Sequence, residues 1–277
     1  MTTAQPTVSV VMRAPRGRER LRALLAPLLL DRATLEVLVD GSDAPGIGEL
    51  GAVTDARVRP LGGDRRGWGA GADAARGEIV LWLDAGVFAT EGLVSAHARQ
   101  HRAAERRLVV GYAPIRVLHE RQPGDFAPRL RSREYEERCE DYERDPAAVL
   151  NELWAGNVSL RRGDWVTLEP DRLRTDREFG HACRDAGLQG VFDRSLRALR
   201  LYEPSLSEFV AEAHLEAVES VNHARPGARR DLDGAASLAL RGLVLLAGSA
   251  HLWRVQDVAA RWLWDTERRL GARRRSA

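Results

Sequence analysis

The stretch G-E-I-V-L-W-L-D-A-G, residues 77–86, decides the fold of this chain. The apolar run at 79–83 is short and continuous, as in a strand that is buried on both faces of a sheet. It ends in one carboxylate, Asp84, which is followed by the small residues Ala85 and Gly86. In sheets of parallel strands, ligands bind beyond the carboxyl ends of the strands. We therefore expect a site just after residue 83.

The composition is that of a globular protein. Of the 277 residues, 44% are hydrophobic and 30% are charged, and the net charge of +2 gives no strong field that would recruit nucleic acid. Cys139 and Cys183 lack metal-ligand spacing, which favours a reducing cytoplasm. We find no signal-like segment and no apolar stretch that spans a bilayer comfortably. We therefore predict a cytoplasmic protein without a transmembrane segment and with no nucleic-acid partner.

Strand and helix signals alternate through the first hundred residues. This alternation predicts an α/β fold, a Rossmann-like, doubly wound and mostly parallel sheet with helices on both faces. Asp40 and Asp84 would then both lie at the carboxyl edge of the sheet. Strands are predicted at 7–12, 35–39, 56–61, 79–83 and 108–112, and helices at 17–30 and about 90–106, the latter capped by Thr90.

The second half of the chain is more polar. Residues 132–145 predict a solvated helix with i,i+4 ion pairs, with a ligand-binding loop as the alternative. Beyond about residue 205 the pattern is helical, with a break near 225–230. A turn and strand are predicted at 153–162, a capped helix at 175–187 and a strand at 191–201.

The order of six short motifs resembles the family 2 inverting glycosyltransferases, which have the GT-A fold. The resemblance covers about residues 7–217, and it implies a nucleotide-binding half at 1–115, an acceptor-binding half at 116–217 and a helical C-terminal extension at 218–277. The motifs are V-D-G-S at 39–42, a Gly- and Arg-containing segment at 62–77, G-E-I-V at 77–80, D-A-G in place of D-x-D at 84–86, G-N-V-S-L-R-R at 156–162 and T-D-R-E-F-G at 175–180.

The resemblance implies transfer of a sugar, with inversion, from a nucleotide-diphosphate sugar to an acceptor that the sequence does not identify. Asp176 matches the second acid of the family's E-D pair, so it would be the general base. Thr175 replaces the first acid, and Glu178 is the neighbouring fallback on the substrate side. Without the resemblance, Asp176 would be interpreted as a helix-start acid that favours the macrodipole.

Other positions match the donor site of the family. Asp40 would accept a hydrogen bond from the nucleobase or ribose, with an Asx-turn role as the alternative. In the Gly-rich segment, Arg65, Arg66 and Arg76 are candidate counter-charges for the diphosphate. Arg13 departs from the family, which usually has a small or Pro-containing turn at 12–14, and we expect it to point toward the nucleotide pocket. The segment that lines the donor-sugar and acceptor pocket is matched by Trp154, Gly156 and Asn157.

The chain departs from the family at its metal site. Gly86 replaces the second acid of D-x-D, and no His follows the last predicted strand. A divalent ion, Mg²⁺ or Mn²⁺, would have Asp84 as its single firm protein ligand and would rely on the diphosphate; alternatively, arginines neutralise the leaving group. The departures also leave a second function open, a glycosyltransferase-like binding or scaffold protein without catalysis. An oxidoreductase is disfavoured because G-W-G-A-G-A at 67–72 does not follow a first strand.

Two further patterns carry weaker expectations. His97 and His101 have i,i+4 spacing without a neighbouring ligand motif, so we expect a surface pair rather than a zinc site. The C-terminal segment 232–270 is expected to pack as an amphipathic pair or to form a homodimer contact, with peripheral membrane contact as the alternative.

Overall fold

The computed structural model describes residues 6–15, 17–40, 55–61, 68–168, 173, 175–220 and 230–275. The chain divides into two compact units, residues 1–114 with 137–201 and residues 115–136 with 202–277. The strands, all in the first unit, are β1 (Val8–Arg13), β2 (Leu35–Asp40), β3 (Val58–Pro60), β4 (Ile79–Leu83), β5 (Val87–Ala89), β6 (Arg107–Tyr112), β7 (Asn157–Arg161) and β8 (Gln189–Arg200). The helices are α1 (Arg18–Leu29), α2 (Trp68–Ala74), α3 (Leu93–Ala103), α4 (Phe126–Arg144), α5 (Ala148–Asn151), α6 (Arg162–Trp165), α7 (Asp176–Asp185), α8 (Leu206–Ser220), α9 (Arg230–Ser249) and α10 (Trp253–Arg275).

The first unit contains one sheet whose strand order, in the described part of the chain, is β3-β2-β1-β4-β7-β6-β8-β5. Parallel pairings join β1 to β2 and β4, β2 to β3, and β6 to β8. β7 is antiparallel to both of its neighbours, and β5 is antiparallel to β8. This mostly parallel sheet confirms the predicted α/β fold class.

Helices cover both faces of this sheet. On one face, α1 buries four leucines at i, i+3, i+4 and i+7 spacing, as expected for a helix with one apolar stripe, and α3 packs on the same side. On the other face, α2, α5 and α7 contribute to a second apolar cluster. Strand β1 pairs with β2 and β4 at its two edges, and its side chains enter the apolar clusters on both faces of the sheet, which explains its continuous apolar run.

The direction of the strands brings the site residues to one edge. Because β1, β2 and β4 are parallel, Arg13, Asp40 and Asp84 all lie where these strands end. β7 runs the opposite way and therefore begins at this edge, where Asn157 pairs with Leu83. The Asp84 backbone N–H donates to the Gly156 carbonyl over 3.0 Å. The segment before β7 is thereby fixed beside Asp84.

Helix α3 begins later than the sequence predicts, and Thr90 does not cap it. The helix starts at Leu93 after Gly92, whose φ is 78°. Its first N–H groups are accepted by Asp31, which follows α1: Val94 N lies 3.0 Å from Asp31 Oδ2 and Ser95 N lies 3.2 Å from Oδ1. The Thr90 hydroxyl instead donates to the Arg197 carbonyl. A carboxylate distant in sequence supplies the cap, so the prediction at Thr90 was wrong.

The histidine pair is buried, so the expected surface pair was wrong. His97 and His101 have no exposed surface, and both contact Ser159 Oγ, through His97 Nδ1 and His101 Nε2, at 2.8 Å. His97 Nε2 lies 3.0 Å from Asn157 Oδ1, while Asn157 Nδ2 donates to the Leu196 carbonyl. His97 Nε2 therefore carries the proton, since the amide presents its oxygen. These contacts form a chain of hydrogen bonds between neutral groups that joins α3 to β7.

Other sequence predictions are confirmed. Helix α7 is capped by Thr175 as predicted, and Gly187 beyond its end adopts a φ of 77°. Residues 132–144 of the charged stretch are helical, as predicted, and lie within α4. The stretch is not solvated throughout, because Tyr135, Cys139 and Tyr142 are buried, and its ion pair Arg144–Asp141 has i,i+3 rather than the predicted i,i+4 spacing.

The second unit contains α8, α9 and α10, together with the first part of α4, which begins in this unit and ends in the other. Its core includes Phe126, Phe209 and Trp264. Arg131 stacks 4.6 Å from the Trp264 ring and forms an ion pair with Glu216 at 3.0 Å. Several large apolar side chains remain exposed, among them Leu238, Leu245, Leu246 and Trp262. None of the helices in the described ranges has both the length and the apolar character to cross a membrane.

Candidate active site

A pocket of about 230 Å³ opens at the carboxyl edge of the sheet in the first unit. Its walls come from the ends of β1, β2 and β4, from the segment before β7 and from the first residues of α2 and α7. The pocket is lined by Val11, Met12, Arg13, Asp40, Trp68, Trp82, Leu83, Asp84, Trp154, Ala155, Gly156 and Asp176.

Most of the site residues selected from the sequence meet in this pocket. Those in its walls are Arg13, Asp40, Asp84, Trp154, Gly156 and Asp176. Asn157 is fully buried outside these walls, where it bonds with His97 and the Leu196 carbonyl. Glu178 also lies outside them. Arg66, like Gly41 and Ser42 of the V-D-G-S motif, lies outside the described residues.

Asp176 is the first residue of α7, and two sets of contacts fix it. Thr175 and Glu178 form a capping box around it: Thr175 Oγ1 accepts from Glu178 N over 3.1 Å, and Glu178 Oε2 accepts from Thr175 N over 3.0 Å. Asp176 Oδ2 accepts from Ala155 N over 2.9 Å. The carboxylate is therefore held against the wall segment that precedes β7.

Trp154 is held by Tyr142, a residue of α4. The Tyr142 hydroxyl accepts from Trp154 N over 3.0 Å and donates to the Glu152 carbonyl over 2.5 Å. Burial raises the pKa of Tyr142 well above its ordinary value, so the phenol stays neutral at physiological pH. The phenol thus bridges two backbone groups of the segment before β7 and holds the backbone that carries the Trp154 indole.

Asp84 has contacts at both carboxylate oxygens. Oδ1 accepts from Ala85 N over 2.8 Å, and Oδ2 lies 3.6 Å from Nη2 of Arg200. The Arg200 guanidinium also lies 5.2 Å from the Trp154 ring centroid, within the range of a cation–π contact. Arg200 was not among the site residues predicted from the sequence. Its position near the end of the last predicted strand, where the family often has a metal-binding His, could have indicated it.

Gly86, which occupies the place of the second D-x-D acid, has a backbone that disfavours a side chain. Its φ is 83°, and a Cβ added there would lie 2.7 Å from the Leu201 carbonyl oxygen. Leu201 N donates to the Gly86 carbonyl over 2.9 Å, which holds the two segments together. An aspartate at this position would therefore be strained and would contact a carbonyl oxygen.

The residues at Asp84 do not fit a divalent metal ion. Throughout the described ranges, no group of three or more His, Cys, Asp or Glu side chains is arranged to hold one. Hard cations such as Mg²⁺ and Mn²⁺ select oxygen ligands. Here the charged group beside the Asp84 carboxylate is the guanidinium of Arg200 rather than a second acid.

An aromatic cluster borders the pocket. Trp68 and Trp82, both in the pocket walls, meet edge-on with ring centroids 5.6 Å apart. Behind them, Trp165 contacts Trp82 at 5.5 Å and Phe179 contacts Trp68 at 4.9 Å. These large, mostly buried rings make this wall rigid and apolar.

Similarity to known proteins is found in the structure and not in the sequence. No protein-family model and no curated protein matches the chain. The structure is similar to the mannosyltransferase PcManGT from Pyrobaculum calidifontis, solved in complex with GDP-Man and Mn²⁺, with a TM-score of 0.58 and 15% identity over 99% of this chain and 87% of that chain. S. aureus TarS matches 86% of this chain and 43% of its own, with a TM-score of 0.49 and 15% identity. The similarity to PcManGT, together with the observed sheet and helices, shows a Rossmann-like fold of the GT-A type with a helical C-terminal part.

Proposed function

We propose that this protein is a glycosyltransferase that moves a sugar, with inversion, from a nucleotide-diphosphate sugar to an acceptor nucleophile. The observation that carries the proposal is the meeting of Asp176 with Asp40 and Asp84 in one pocket at the carboxyl edge of the sheet. In open α/β sheets this edge is where nucleotides bind. The fold shared with PcManGT, which was solved with GDP-Man, supports the same assignment.

Each residue has a role that its place allows. Asp40 accepts a hydrogen bond from the nucleobase or the ribose, and Arg13 faces the diphosphate. Trp154 offers an apolar ring to the sugar. Asp176 takes the proton of the acceptor hydroxyl while that oxygen attacks the anomeric carbon, and the bond from this carbon to the diphosphate oxygen breaks. A well-placed base of this kind contributes roughly 10²–10⁴-fold to the rate.

A second candidate function is a glycosyltransferase-like binding protein without catalysis. The observation that favours it is the ion pair of Arg200 with Asp84, because this pair engages the acid that the resemblance assigns to a metal. The binding protein would use the same pocket for the nucleotide, and only turnover separates the two functions.

One experiment tests both functions. The full chain is titrated calorimetrically with UDP, GDP, CDP, ADP and dTDP, and the sugar donor of each nucleotide that binds is incubated with a panel of acceptors. Binding of one nucleotide together with transfer from its donor is the expected result. Binding without transfer identifies the binding protein. If no nucleotide binds, both candidate functions are wrong.

A further inference from the structure

The cation beside Asp84 is part of the protein. We infer that Arg200, and not a divalent metal ion, supplies the positive charge of the Asp84 subsite, so that the protein binds its nucleotide diphosphate without metal. This inference rests on the proposed glycosyltransferase function. It names the positive charge that compensates Asp84 beside the diphosphate leaving group.

The contacts of the carboxylate carry the first step. A divalent ion binds carboxylate oxygens at about 2.0–2.6 Å. An ion at Asp84 Oδ2 would therefore lie close to the guanidinium, which is already 3.6 Å from this oxygen, and the two positive charges would repel each other. The other oxygen, Oδ1, accepts from Ala85 N. A metal ion at Asp84 Oδ2 would thus place a second positive charge beside Arg200, which disfavours metal binding while Arg200 keeps this position.

The surroundings of Arg200 oppose such a movement. Its side chain is 13% exposed, its guanidinium lies over Trp154, and its backbone N–H donates to the Pro114 carbonyl over 3.0 Å. The pairing of β8 with β5, in which Arg200 stands opposite Val87, fixes the strand that carries it. A guanidinium stays protonated at every physiological pH, so this charge is permanent.

The loss of the second acid and the presence of the arginine have one structural cause. The end of β8 that delivers Arg200 to Asp84 also places the Leu201 carbonyl oxygen 2.7 Å from where a Cβ on Gly86 would lie. A carboxylate at position 86 is thus excluded by the strand end that supplies the cation. The site therefore has one arginine where the resemblance implies a second acid and a metal ion.

The charge balance of the proposed reaction follows. When the bond between the anomeric carbon and the diphosphate oxygen breaks, its electron pair stays on the oxygen, and the acceptor proton passes to Asp176. Arg200 compensates the charge of Asp84 next to the leaving group, and Arg13 faces the group from the pocket wall. We assign Arg200 a positioning and charge-compensating role because its guanidinium lies beside the Asp84 carboxylate and the Trp154 ring.

The test measures metal dependence. The five nucleoside diphosphates are titrated into the full chain in EDTA and again in MnCl₂. We expect the tightest of them to bind with the same affinity, within about twofold, in both conditions. Arg200→Ala should weaken binding in EDTA by about tenfold to a hundredfold, the usual loss for an interaction with a charged group. Arg200→Lys keeps the charge and should recover part of the affinity.

Asp84→Asn separates a charge-compensating arginine from a metal site. If Arg200 is the cation, this variant gains affinity in EDTA, because a negative charge near the diphosphate is removed, and a loss of affinity would contradict the inference. Arg197→Ala is the matched control, since Arg197 is an exposed arginine of the same strand outside the pocket walls, and it should bind like the parent chain. Circular dichroism verifies that each variant is folded, and Arg200→Lys replaces Arg200→Ala as the test if the alanine variant unfolds.

The results that overturn the inference differ from those that overturn the function. Binding that requires Mn²⁺, or Arg200→Ala binding in EDTA as tightly as the parent chain, rejects Arg200 as the cation and leaves the glycosyltransferase proposal standing. Absence of nucleotide binding in both conditions rejects the two together.

Discussion

The Trp154 indole fills the space above Gly156: a Cβ added at position 156 would lie 2.1 Å from Cη2 of Trp154. Both residues line the pocket, and the Tyr142 hydroxyl holds the backbone of the tryptophan. Gly156 cannot gain a side chain unless the Trp154 indole moves. The shape of the pocket therefore depends on the absence of a side chain at Gly156, and the sequence motif alone does not reveal that Trp154 is the residue that requires it.

Gly156→Ala should displace Trp154 and distort the pocket. We expect a loss of about 1–3 kcal/mol in the free energy of unfolding, as for other overpacked sites, and weaker nucleotide binding. Urea unfolding and calorimetry measure the two effects. Gly163→Ala is the matched control, because a Cβ at position 163 meets nothing within 4 Å, and it should unfold like the parent chain. Equal effects of the two changes would contradict the packing argument.

Asp176→Asn should lower the rate of sugar transfer by about 10²–10⁴-fold and leave nucleotide affinity nearly unchanged. The amide retains an oxygen that can accept from Ala155 N, so the wall segment should stay in place. Steady-state kinetics and calorimetry on the same preparation measure the two quantities. Asp185→Asn, an exposed change at the other end of α7, serves as control and should not alter the rate. Unchanged transfer in Asp176→Asn would remove this residue from the role of base.

The histidine chain should make stability fall in acid. Burial lowers the pKa of His97 to about 4 and that of His101 to about 3, whereas in the unfolded chain both lie near 6.5. Between these values the unfolded state binds protons that the folded state does not, so stability is complete above about pH 6.5 and decreases as the pH falls. Each histidine contributes a slope of up to about 1.4 kcal/mol per pH unit.

Urea unfolding measured from about pH 4 to about pH 8, a range that includes the ordinary pKa of histidine, gives this slope. His101→Leu removes one of the two groups and should reduce the slope by up to about one half. His119→Gln, a substitution of an exposed histidine outside the pair, is the control variant. A slope that does not respond to His101→Leu would show that other groups govern the acid sensitivity.

Two alanine substitutions separate backbone strain from crowding at the edited D-x-D motif. Gly86 and Gly92 have similar positive φ values, 83° and 78°, so alanine at either position costs about 1–2 kcal/mol. Only Gly86→Ala also brings a Cβ to 2.7 Å from the Leu201 carbonyl, since the space at Gly92 is open. Gly86→Ala should therefore have the lower midpoint in thermal unfolding. Equal midpoints would mean that the β8 end yields and that an acid could be restored at position 86.

The sequence predicts the pocket where local strand rules determine it. Arg13, Asp40 and Asp84 follow parallel strands, so their convergence needs only the alternation of strands and helices. The sequence does not reveal Arg200. Strand β8 meets the D-A-G turn through its antiparallel pairing with the short β5, and the paired residues lie more than a hundred positions apart in the chain. The cap of α3 by Asp31 is hidden for the same reason. The i,i+4 spacing of His97 and His101 likewise gives no sign that Ser159 of the sheet contacts both histidines.

The aromatic wall has an optical consequence. Trp68, Trp82 and Trp154 line the pocket, and Trp165 contacts Trp82, so four of the seven tryptophans of the chain stand in or beside the ligand space. If the protein binds a nucleotide sugar as proposed, a nucleobase or sugar in this pocket would change the polarity around these indoles. The intrinsic emission of the unlabelled protein is therefore a built-in reporter of occupancy, with which donors and acceptors can be screened at low protein concentration.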